Sequence, residues 1–388
     1  MGPVIGLDVA KENSVFQSFT QRGEAYGKSE TIPHTPEGFR RLDEVIHQLE
    51  ERTGIRPVVV MEATGHYHRI VEVHLEQVNI EHFILNPLLS KRSKGAQLRK
   101  VKTDAVDAWH LAEMYYRGDV QPHRKWADHL TELQHLTRQH EFMTSLFVQS
   151  KLNARALLDQ VCPAYEGVFN DLFSKTSLRV MLHLLQGIVI TEEVIIETAG
   201  SSHGKAWIRS KVERIRDLQM PQRQSVAQKT ALLCMVEILL AQQEQLVRLE
   251  VQIQEAAKEI PEVELLKTIP GIGNKLAATL IAEIGDAKQF EGPKQLVAYA
   301  GLDPSVHSSG QFTASSTRIT KRGSKRLRRA LYLAIQCGIR GSVNVRIRAY
   351  YEKKRQEGKP YKVTVIACAN KLLHHIYAIL KKGLPYIQ

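Results

Sequence analysis

Short apolar runs, set at intervals, constrain the fold of residues 1 to about 120 more than any other feature of this sequence. Val4–Val9 and His82–Asn86 have the length and composition of strands, and Val58–Met61 is an all-apolar run typical of a central strand. Ser14–Phe19 and Gly27–Ile32 predict two further strands, which continue from the first as a meander.

Amphipathic helical patterns separate these runs. Thr35 is a good N-cap, Pro36 suits the first helical position, and the first helix is expected to continue to about Arg52. A second helix is predicted over 65–79 and a third from the region of residue 103 to Arg117. The order βββαβαβα predicts a mixed sheet covered by helices. Three apolar residues of the second helix are expected to face inward: Ile70, Val73 and Val78.

Acidic residues stand at the ends of two predicted strands. Asp8 lies near the end of the first strand, and Glu62 directly follows the apolar run. The end of a strand delivers its side chain to the rim of the sheet, which is where sites form in sheets of this kind.

A further acidic pair, Asp104 and Asp107, lies in the segment Lys102–Ala108 at the expected start of the third helix. Residues three apart share a helix face, so both carboxylates can point at one spot. Such a pair is by itself equally typical of a solvated face or of favourable charge near a helix start.

Taken together, the four acids come from three elements and can meet at one rim. Like charges repel unless a cation lies between them, and carboxylate oxygens are preferred ligands of hard divalent ions. The sequence therefore predicts a metal site of Asp8, Glu62, Asp104 and Asp107. Four carboxylates can hold two Mg²⁺ ions, which polarise a phosphate and stabilise the entering and leaving oxygens.

Two long heptad patterns occupy the middle of the chain. They predict helices over about 128–162 and 228–260, with the polar residues Ser150 and Gln242 in the seams. An antiparallel coiled-coil arm that serves dimerisation and two ordinary helices of a bundle are both compatible with this pattern. Residues 163–227 are less regular, with a predicted loop over 199–204.

Charge is distributed very unevenly along the 388 residues. The net charge is +12, but residues 311–388 hold 18 Lys and Arg against Glu352 and Glu357, or +16, which leaves −4 for the first 310 residues. Phosphate backbones are the usual partner of such a basic block. Its apolar helical periodicity indicates a folded domain rather than a loose tail.

The segment Ile269–Gly273, followed by apolar helical spacing, has the signature of a helix-hairpin-helix. Glycine lets backbone approach a phosphate, and the next helix presents free N–H groups to it. Gly271, Gly273 and Lys275 are therefore candidate nucleic-acid contacts, of a kind that positions DNA without reading its sequence. A plain turn between helices is the alternative.

A polar loop that carries serines, residues 299–310, precedes a dense basic segment. A hydroxyl nucleophile can attack a phosphodiester if nearby cations stabilise the developing charge. The basic segment supplies candidate nucleic-acid-binding residues: Arg318, Lys321, Arg322, Lys325, Arg326, Arg328 and Arg329.

Several of these segments resemble one known family. G-L-D-V-A-K, M-E-A-T-G, N-P and K-T-D-A-V-D-A, in this order and spacing, are similar to the RuvC-like N-terminal domain of the insertion sequence 110 transposases, relatives of the pilin-gene invertase. Y-A-G-L-x-P, S-G and L-R-R-A-L resemble the C-terminal domain of the same family. The resemblance covers residues 1–120, the general character of the arm, and about 262–388.

The resemblance implies an α/β plus α protein: an RNase H-like (RuvC-like) domain over 1–125, a helical coiled-coil region over 126–262, and a basic transposase domain over 263–388. It implies that the four acids form a DEDD tetrad and that Ser309, just before a glycine, is a nucleophile that becomes covalently attached to DNA. It also implies a guide RNA encoded by the element, donor and target DNA as partners, and a homodimer or homotetramer in which Ser309 acts in its own subunit or in a partner.

Two rival functions are also compatible with this sequence. A hydrolytic, junction-resolving nuclease would use the acids and metal-activated water without the serine, and a noncatalytic nucleic-acid-binding protein would need neither. The four widely spaced cysteines lack the spacing of metal ligands, the N-terminus has no leader pattern, and no apolar run approaches the length of a membrane helix, so we expect a reduced cytoplasmic protein without structural zinc.

Overall fold

The structure, a computed structural model, divides into two compact units, Met1–Lys125 and Trp126–Gln388. It describes residues 2–63, 65–85, 104–119, 128–200, 203–218, 225–305, 308–309, 312–313 and 318–387. The motif residues Asn86, Pro87, Lys102 and Thr103 lie outside these ranges, as do Ser201 and Ser202 of the predicted loop.

Unit 1 contains a five-stranded sheet in the order β3-β2-β1-β4-β5. β1 pairs antiparallel with β2 and parallel with β4, β2 pairs antiparallel with β3, and β4 pairs parallel with β5. This is the strand order of an RNase H-like sheet, and it confirms the predicted mixed sheet. The strands are β1 Val4–Val9, β2 Asn13–Gln21, β3 Glu24–Pro33, β4 Val58–Glu62 and β5 His82–Leu85.

Three helices of unit 1 are described: α1 Pro36–Thr53, α2 His68–Gln77 and α3 Asp104–Tyr116. As predicted, Thr35 is the N-cap of α1, and its hydroxyl accepts a hydrogen bond from the Gly38 N–H. The expected inward face of α2 was wrong for two of its three residues, while Val78, just beyond the helix, packs partly buried against the core as predicted. Ile70 and Val73 are 47% and 51% exposed, whereas Val71 and Leu75 are fully buried. The helix begins later than predicted, and Val71 and Leu75, four apart, form the face that meets the sheet.

The two faces of the sheet carry separate cores, because side chains alternate along each strand. Ile5, Leu7 and Met61 pack with the apolar residues of α1 and α2. Val4 and Val60 instead belong to the core that includes Leu111 and other residues of α3. Residues at even positions of β1 and β4 therefore face α3, and Asp8 and Glu62 are among them.

Unit 2 is mostly helical. Its helices are α4 Asp128–Val161, α5 Lys175–Leu185, α6 Glu192–Ala199, α7 Lys205–Arg216, α8 Val226–Lys258, α9 Pro261–Lys267, α10 Asn274–Ile284, α11 Pro293–Tyr299, α12 Lys325–Gly338, α13 Val345–Gln356 and α14 Tyr361–Lys382, with short 3-10 turns at Pro163–Gly167 and Ala287–Gln289. Two short strands, β6 Ser308–Ser309 and β7 Phe312–Thr313, pair antiparallel.

The helices α4 and α8 form an antiparallel pair. His140 contacts Glu250 near one end, Asn153 contacts Met235 further along, and Gln160 contacts Gln228 near the other end. The predicted seam residues of both helices are buried or half-buried. We call this pair the arm.

The two ends of the arm belong to different cores. At one end, Ala154 and Leu239 pack with apolar residues of α5, α6 and α7, so the region that resisted interpretation from sequence is a helical cap. At the other end, Leu133 and Ile253 join the core of the C-terminal helices. The division of unit 2 at residue 262 stays a prediction.

Two helices, α8 and α14, are long and apolar enough by length and composition to cross a membrane, with mean hydropathies of 1.2 and 1.4. Only part of this apolar surface is buried within the fold, 17% of the apolar window of α8 and 44% of that of α14. Leu232 and Leu239 of α8 lie in the arm core, and Leu372 and Leu373 of α14 lie in the C-terminal core.

Candidate active site

The register of the sheet brings two of the predicted acids next to each other. β1 and β4 are parallel neighbours, and Leu7 pairs with Met61. Asp8 and Glu62 are the next residues along the two strands and therefore extend from the same face. Both are half-buried.

A glycine in β1 determines how closely α3 approaches this face. A Cβ built on Gly6 would lie 1.9 Å from the carbonyl oxygen of Ala108, so any larger residue would push the helix away. The Tyr116 hydroxyl donates to the Gly2 carbonyl oxygen at 3.2 Å, which places the end of α3 beside the start of β1.

It follows that α3 runs antiparallel to β1. Its first turn, with Asp104 and Asp107, lies toward the end of β1 that carries Asp8. The structure thus brings all four sequence-predicted acids to one rim of unit 1, with Asp104 exposed and Asp107 half-buried. Asp8, Glu62 and Asp107 each make further interactions within the protein.

Among the described residues, Glu72, Glu76 and His82 are the group whose potential metal-ligand atoms all lie within 4.8 Å of one another. This group is separate from the four acids at the rim. No three of Asp8, Glu62, Asp104 and Asp107 bring their carboxylate oxygens within 4.8 Å of one another.

A cleft of about 460 Å³ opens at the same end of β1 and was missed by the sequence analysis. Lys11, His34 and His66 line it. Burial lowers the pKa of His34, whose Nε2 lies 2.8 Å from the Ser14 hydroxyl. The sequence feature that could have indicated this cleft is Lys11, which is the last residue of the G-L-D-V-A-K motif.

In unit 2, the segment that begins the predicted serine loop is hydrogen-bonded to the segment that follows the loop. The segments 299–305 and 318–324 pair with each other through backbone hydrogen bonds, including Ser305 N to Arg318 O at 2.8 Å and Ser324 N to Tyr299 O at 2.9 Å. A Cβ on Gly323 would lie 1.9 Å from the Tyr299 carbonyl oxygen, so the close approach requires glycine.

Ser309 lies in the hairpin between these two segments. Its backbone pairs with Phe312 in the β6–β7 ladder. Its side chain lies outside the described atoms, and Val306, His307 and Gly310 lie outside the described residues.

The predicted cations fall into three groups according to their surroundings. Arg318, Lys321, Arg322 and Lys325 are exposed. Arg328 is turned toward the protein, and its Nη1 donates to the carbonyl oxygens of Ala300 and Gly323 at 2.8 and 3.1 Å. Lys275, Arg326 and Arg329 form ion pairs with acids of the arm.

A buried carboxylate anchors the first turn of the basic helix. Glu283 on α10 is 2% exposed. It accepts from Arg138 Nε at 2.8 Å and from the Ser324 hydroxyl at 2.9 Å. Ser324 also caps α12, because its hydroxyl accepts from the Leu327 N–H. Sequence reasoning missed Glu283, since its role depends on partners from two other elements.

The predicted helix-hairpin-helix is present as α9, a tight turn and α10. Gly271 has a φ of +95°, and a Cβ there would lie 3.0 Å from the backbone of Gly338. Gly273 is the N-cap of α10 and is exposed, with no heavy atom of the described residues within 4 Å of its Cβ position. Gly271 therefore serves packing, while Gly273 faces solvent.

Two family descriptions match parts of this chain, and one solved structure aligns with about a third of it. A family described as "Transposase IS116/IS110/IS902 family" matches residues 263–352, and a second family, described as "Transposase", matches residues 5–163. The structure of Thermus thermophilus RuvC aligns over 99% of its own length with 31% of this chain, at 13% identity and with a TM-score of 0.23.

Two curated relatives span different parts of the chain. The IS900 uncharacterized 42 kDa protein of Mycobacterium paratuberculosis is 30% identical over 307 residues, which are 75% of this chain and 74% of that protein. The pilin gene-inverting protein of Moraxella bovis is 34% identical over 143 residues, which are 36% of this chain and 44% of that protein. With these matches at both ends, this chain belongs to the IS116/IS110/IS902 family of transposases.

Proposed function

We propose that this transposase mobilises its own insertion sequence by exchanging DNA strands through a covalent phosphoserine intermediate. The observation that carries the proposal is the close contact of Gly6 with Ala108, which draws the first turn of α3 toward Asp8 and Glu62. Four carboxylates at one rim, together with a serine hairpin that is followed along the chain by exposed cations, support such a reaction.

The residues at the rim fit magnesium. Asp8, Glu62, Asp104 and Asp107 offer hard oxygen donors, which are the ligands that divalent ions such as Mg²⁺ prefer. Mg²⁺ ions held there would polarise the scissile phosphate and offset the charge of the entering and leaving oxygens.

The serine step conserves atoms and bonds. The Ser309 hydroxyl oxygen forms a bond to phosphorus, one P–O bond of the DNA breaks, and the proton lost by the serine ends on the departing strand hydroxyl. Arg318, Lys321 and Arg322 lie on the segment that returns from this hairpin, and their charge would stabilise the transition state. Because one ester replaces another, a second strand hydroxyl can reverse the step without ATP.

The proposal extends to partners. The basic C-terminal region would hold donor and target DNA and, as the family resemblance implies, a guide RNA encoded by the element. A cytoplasmic homodimer or homotetramer would carry out the exchange. The name of the Moraxella relative, a gene-inverting protein, favours recombination over simple cleavage.

The test places the gene with its native flanks on a plasmid in cells and amplifies across the joined ends of an excised circle. Asp104→Asn and Ser309→Ala should each abolish the junction product. Asp119→Asn, beyond the opposite end of α3, and Ser308→Ala, the neighbour in β6, are matched controls that should retain it. A junction product at wild-type level from Ser309→Ala would contradict the covalent mechanism and favour the hydrolytic nuclease.

Co-expression of the two inactive variants tests whether one reaction uses residues of two subunits. If Ser309 acts on DNA held by a partner's tetrad, Asp104→Asn and Ser309→Ala together should regain part of the activity. Continued inactivity of the pair, with both proteins folded, would assign both functions to one subunit. A discrete RNA that copurifies with the wild-type protein is the expected evidence for the guide.

A further inference from the structure

A groove of about 330 Å³ lies between α4, α10 and α12. Lys275, Arg326 and Arg329 contribute cations to its wall, and Leu276 and Leu333 contribute apolar surface. We call it the arm groove. Leu333 is 45% exposed, so the apolar surface is open to a ligand.

Each cation of the arm groove is held by a carboxylate of the arm. Glu141 on α4 binds both arginines, with Arg329 Nη1 at 2.7 Å and Arg326 Nε at 3.0 Å. Glu250 on α8 binds Lys275 Nζ at 2.7 Å. The bond from Lys275 lowers the pKa of Glu250, which therefore stays ionised at neutral pH.

These pairs differ from the rest of the basic segment. Among the described residues, Arg322 and Lys325 on the same segment form no ion pair, so their cations are already available to phosphate. The side chains of the groove pairs are partly exposed, at 36% for Arg326, 49% for Arg329 and 53% for Lys275. Ion pairs exposed to this degree contribute little stability and exchange readily for another anion.

Phosphate can replace the carboxylates of Glu141 and Glu250 as the anionic partner of these cations. An arginine fork binds a phosphate through two parallel hydrogen bonds, and lysine binds it as a point charge. A nucleic-acid backbone brings several phosphates at once, and its sugars and bases can cover the apolar wall between them.

We propose that the arm groove binds a nucleic-acid backbone, whose phosphates replace Glu141 and Glu250 as the partners of Arg326, Arg329 and Lys275. The two glutamates thus act as internal competitors that set the affinity of this surface. The inference rests on the proposed function, since it assumes that unit 2 holds nucleic acid, and it assigns to the arm a part in that binding.

The first experiment measures binding of the purified full-length protein to a fluorescein-labelled DNA duplex of mixed sequence and to an RNA hairpin. Glu141→Gln combined with Glu250→Gln should lower the Kd by about two- to tenfold. The matched control carries Glu237→Gln and Glu213→Gln, which together change the charge by the same amount. Glu237 is exposed on α8 about 20 Å from Glu250 along the helix, and Glu213 is exposed on α7. The control corrects for the general gain in positive charge, and thermal unfolding confirms that each variant is folded.

Two free cysteines provide a second measurement on the wild-type protein, which avoids any effect of the variants on folding. Cys337 lines the arm groove and is exposed, and Cys234 is exposed on α8 among residues that do not line the groove. Bound nucleic acid should slow alkylation of Cys337 by iodoacetamide and leave Cys234 unchanged. Whichever of the two probes protects Cys337 is the occupant.

The outcomes separate the two proposals. A wild-type protein that binds both probes, with glutamate variants no tighter than the control or with Cys337 alkylated at the same rate, would overturn the inference and leave the proposed function intact. A wild-type protein that binds neither DNA nor RNA would overturn both.

Discussion

Gly6 of β1 lies so close to Ala108 of α3 that a Cβ at Gly6 would come within 1.9 Å of the Ala108 carbonyl oxygen. Gly6→Ala must therefore move α3 away from the sheet, at a cost of at least about 1–3 kcal/mol, and displace Asp104 and Asp107. We expect a lower urea midpoint together with loss of the excision product. Gly167→Ala, at a position with nothing within 4 Å, is the control and should leave both unchanged. A fully stable, active Gly6→Ala protein would contradict the proposed route to the acidic rim.

The two glycines of the hairpin turn should respond differently to alanine. Gly271→Ala should destabilise the protein by about 1–2 kcal/mol, because alanine is strained at a φ of +95° and its Cβ meets Gly338. Gly273→Ala should leave the unfolding free energy nearly unchanged but weaken DNA binding, since the glycine faces solvent at the start of α10. Thermal unfolding and fluorescence anisotropy measure the two effects. Equal effects from both changes would argue for a plain turn.

Glu283→Gln tests the buried carboxylate that joins Arg138 to Ser324. Replacing the charge weakens hydrogen bonds to both partners, so we expect a loss of about 1–3 kcal/mol of stability. Glu264→Gln is the control, because it breaks an ion pair with Lys267 in which the Glu264 side chain is 63% exposed. It should change the free energy of unfolding by less than about 0.5 kcal/mol. Urea denaturation compares the two, and similar small effects would mean that Glu283 is not an anchor.

Glu113 should make the stability of unit 1 dependent on pH in the acid range. The hydrogen bond from Arg22 is the largest of the causes that hold the pKa of Glu113 below its ordinary value of 4.5, and a hydrogen bond from Arg117 lowers it further. Because the pKa of Glu113 is lower in the folded state, its carboxylate contributes its full stabilisation at any pH above its pKa in the unfolded state. This stabilisation is lost as the pH falls through the pKa in the folded state. Glu113→Gln should therefore be less stable than wild type at neutral pH, with the difference vanishing in acid. Glu51→Gln, an exposed change on α1, should track wild type at every pH of the denaturation series.

The exposed and the inward-facing cations should differ in how they affect binding. Arg322→Gln or Lys325→Gln should weaken DNA binding without loss of stability and reduce the slope of log K against log salt by about 0.7–0.9 each. Arg328→Gln should lower the melting temperature instead, because its guanidinium bonds two carbonyl oxygens that join the segments around the serine hairpin. A salt titration by anisotropy, with thermal unfolding alongside, measures both. An Arg328→Gln protein of normal stability with a reduced slope would place Arg328 among the phosphate contacts.

Local patterns predicted much of the architecture. The runs around Val4 and Val58 predicted strands because buried strands need continuous apolar side chains. The heptad spacing predicted two long helices with a continuous seam, but it left an antiparallel arm and two ordinary bundle helices both open. The spacing of Asp104 and Asp107 placed both acids in one helical turn. The interpretation of α2 failed for Ile70 and Val73 because its apolar residues offer two faces, and contact with the sheet selects Val71 and Leu75.

The tertiary structure decided which charged residues have partners. The sequence by itself determined the succession of strands and helices along the chain, the elements that carry the acids and the excess of cations, since each depends on a local pattern or a count. The order of the strands within the sheet came from the tertiary structure. The sequence did not determine that Glu141 and Glu250 would hold three of those cations, or that Arg328 would face inward. Those contacts join residues as many as 188 positions apart, and long-range pairing of charges is fixed by how helices pack rather than by the residues near each charge.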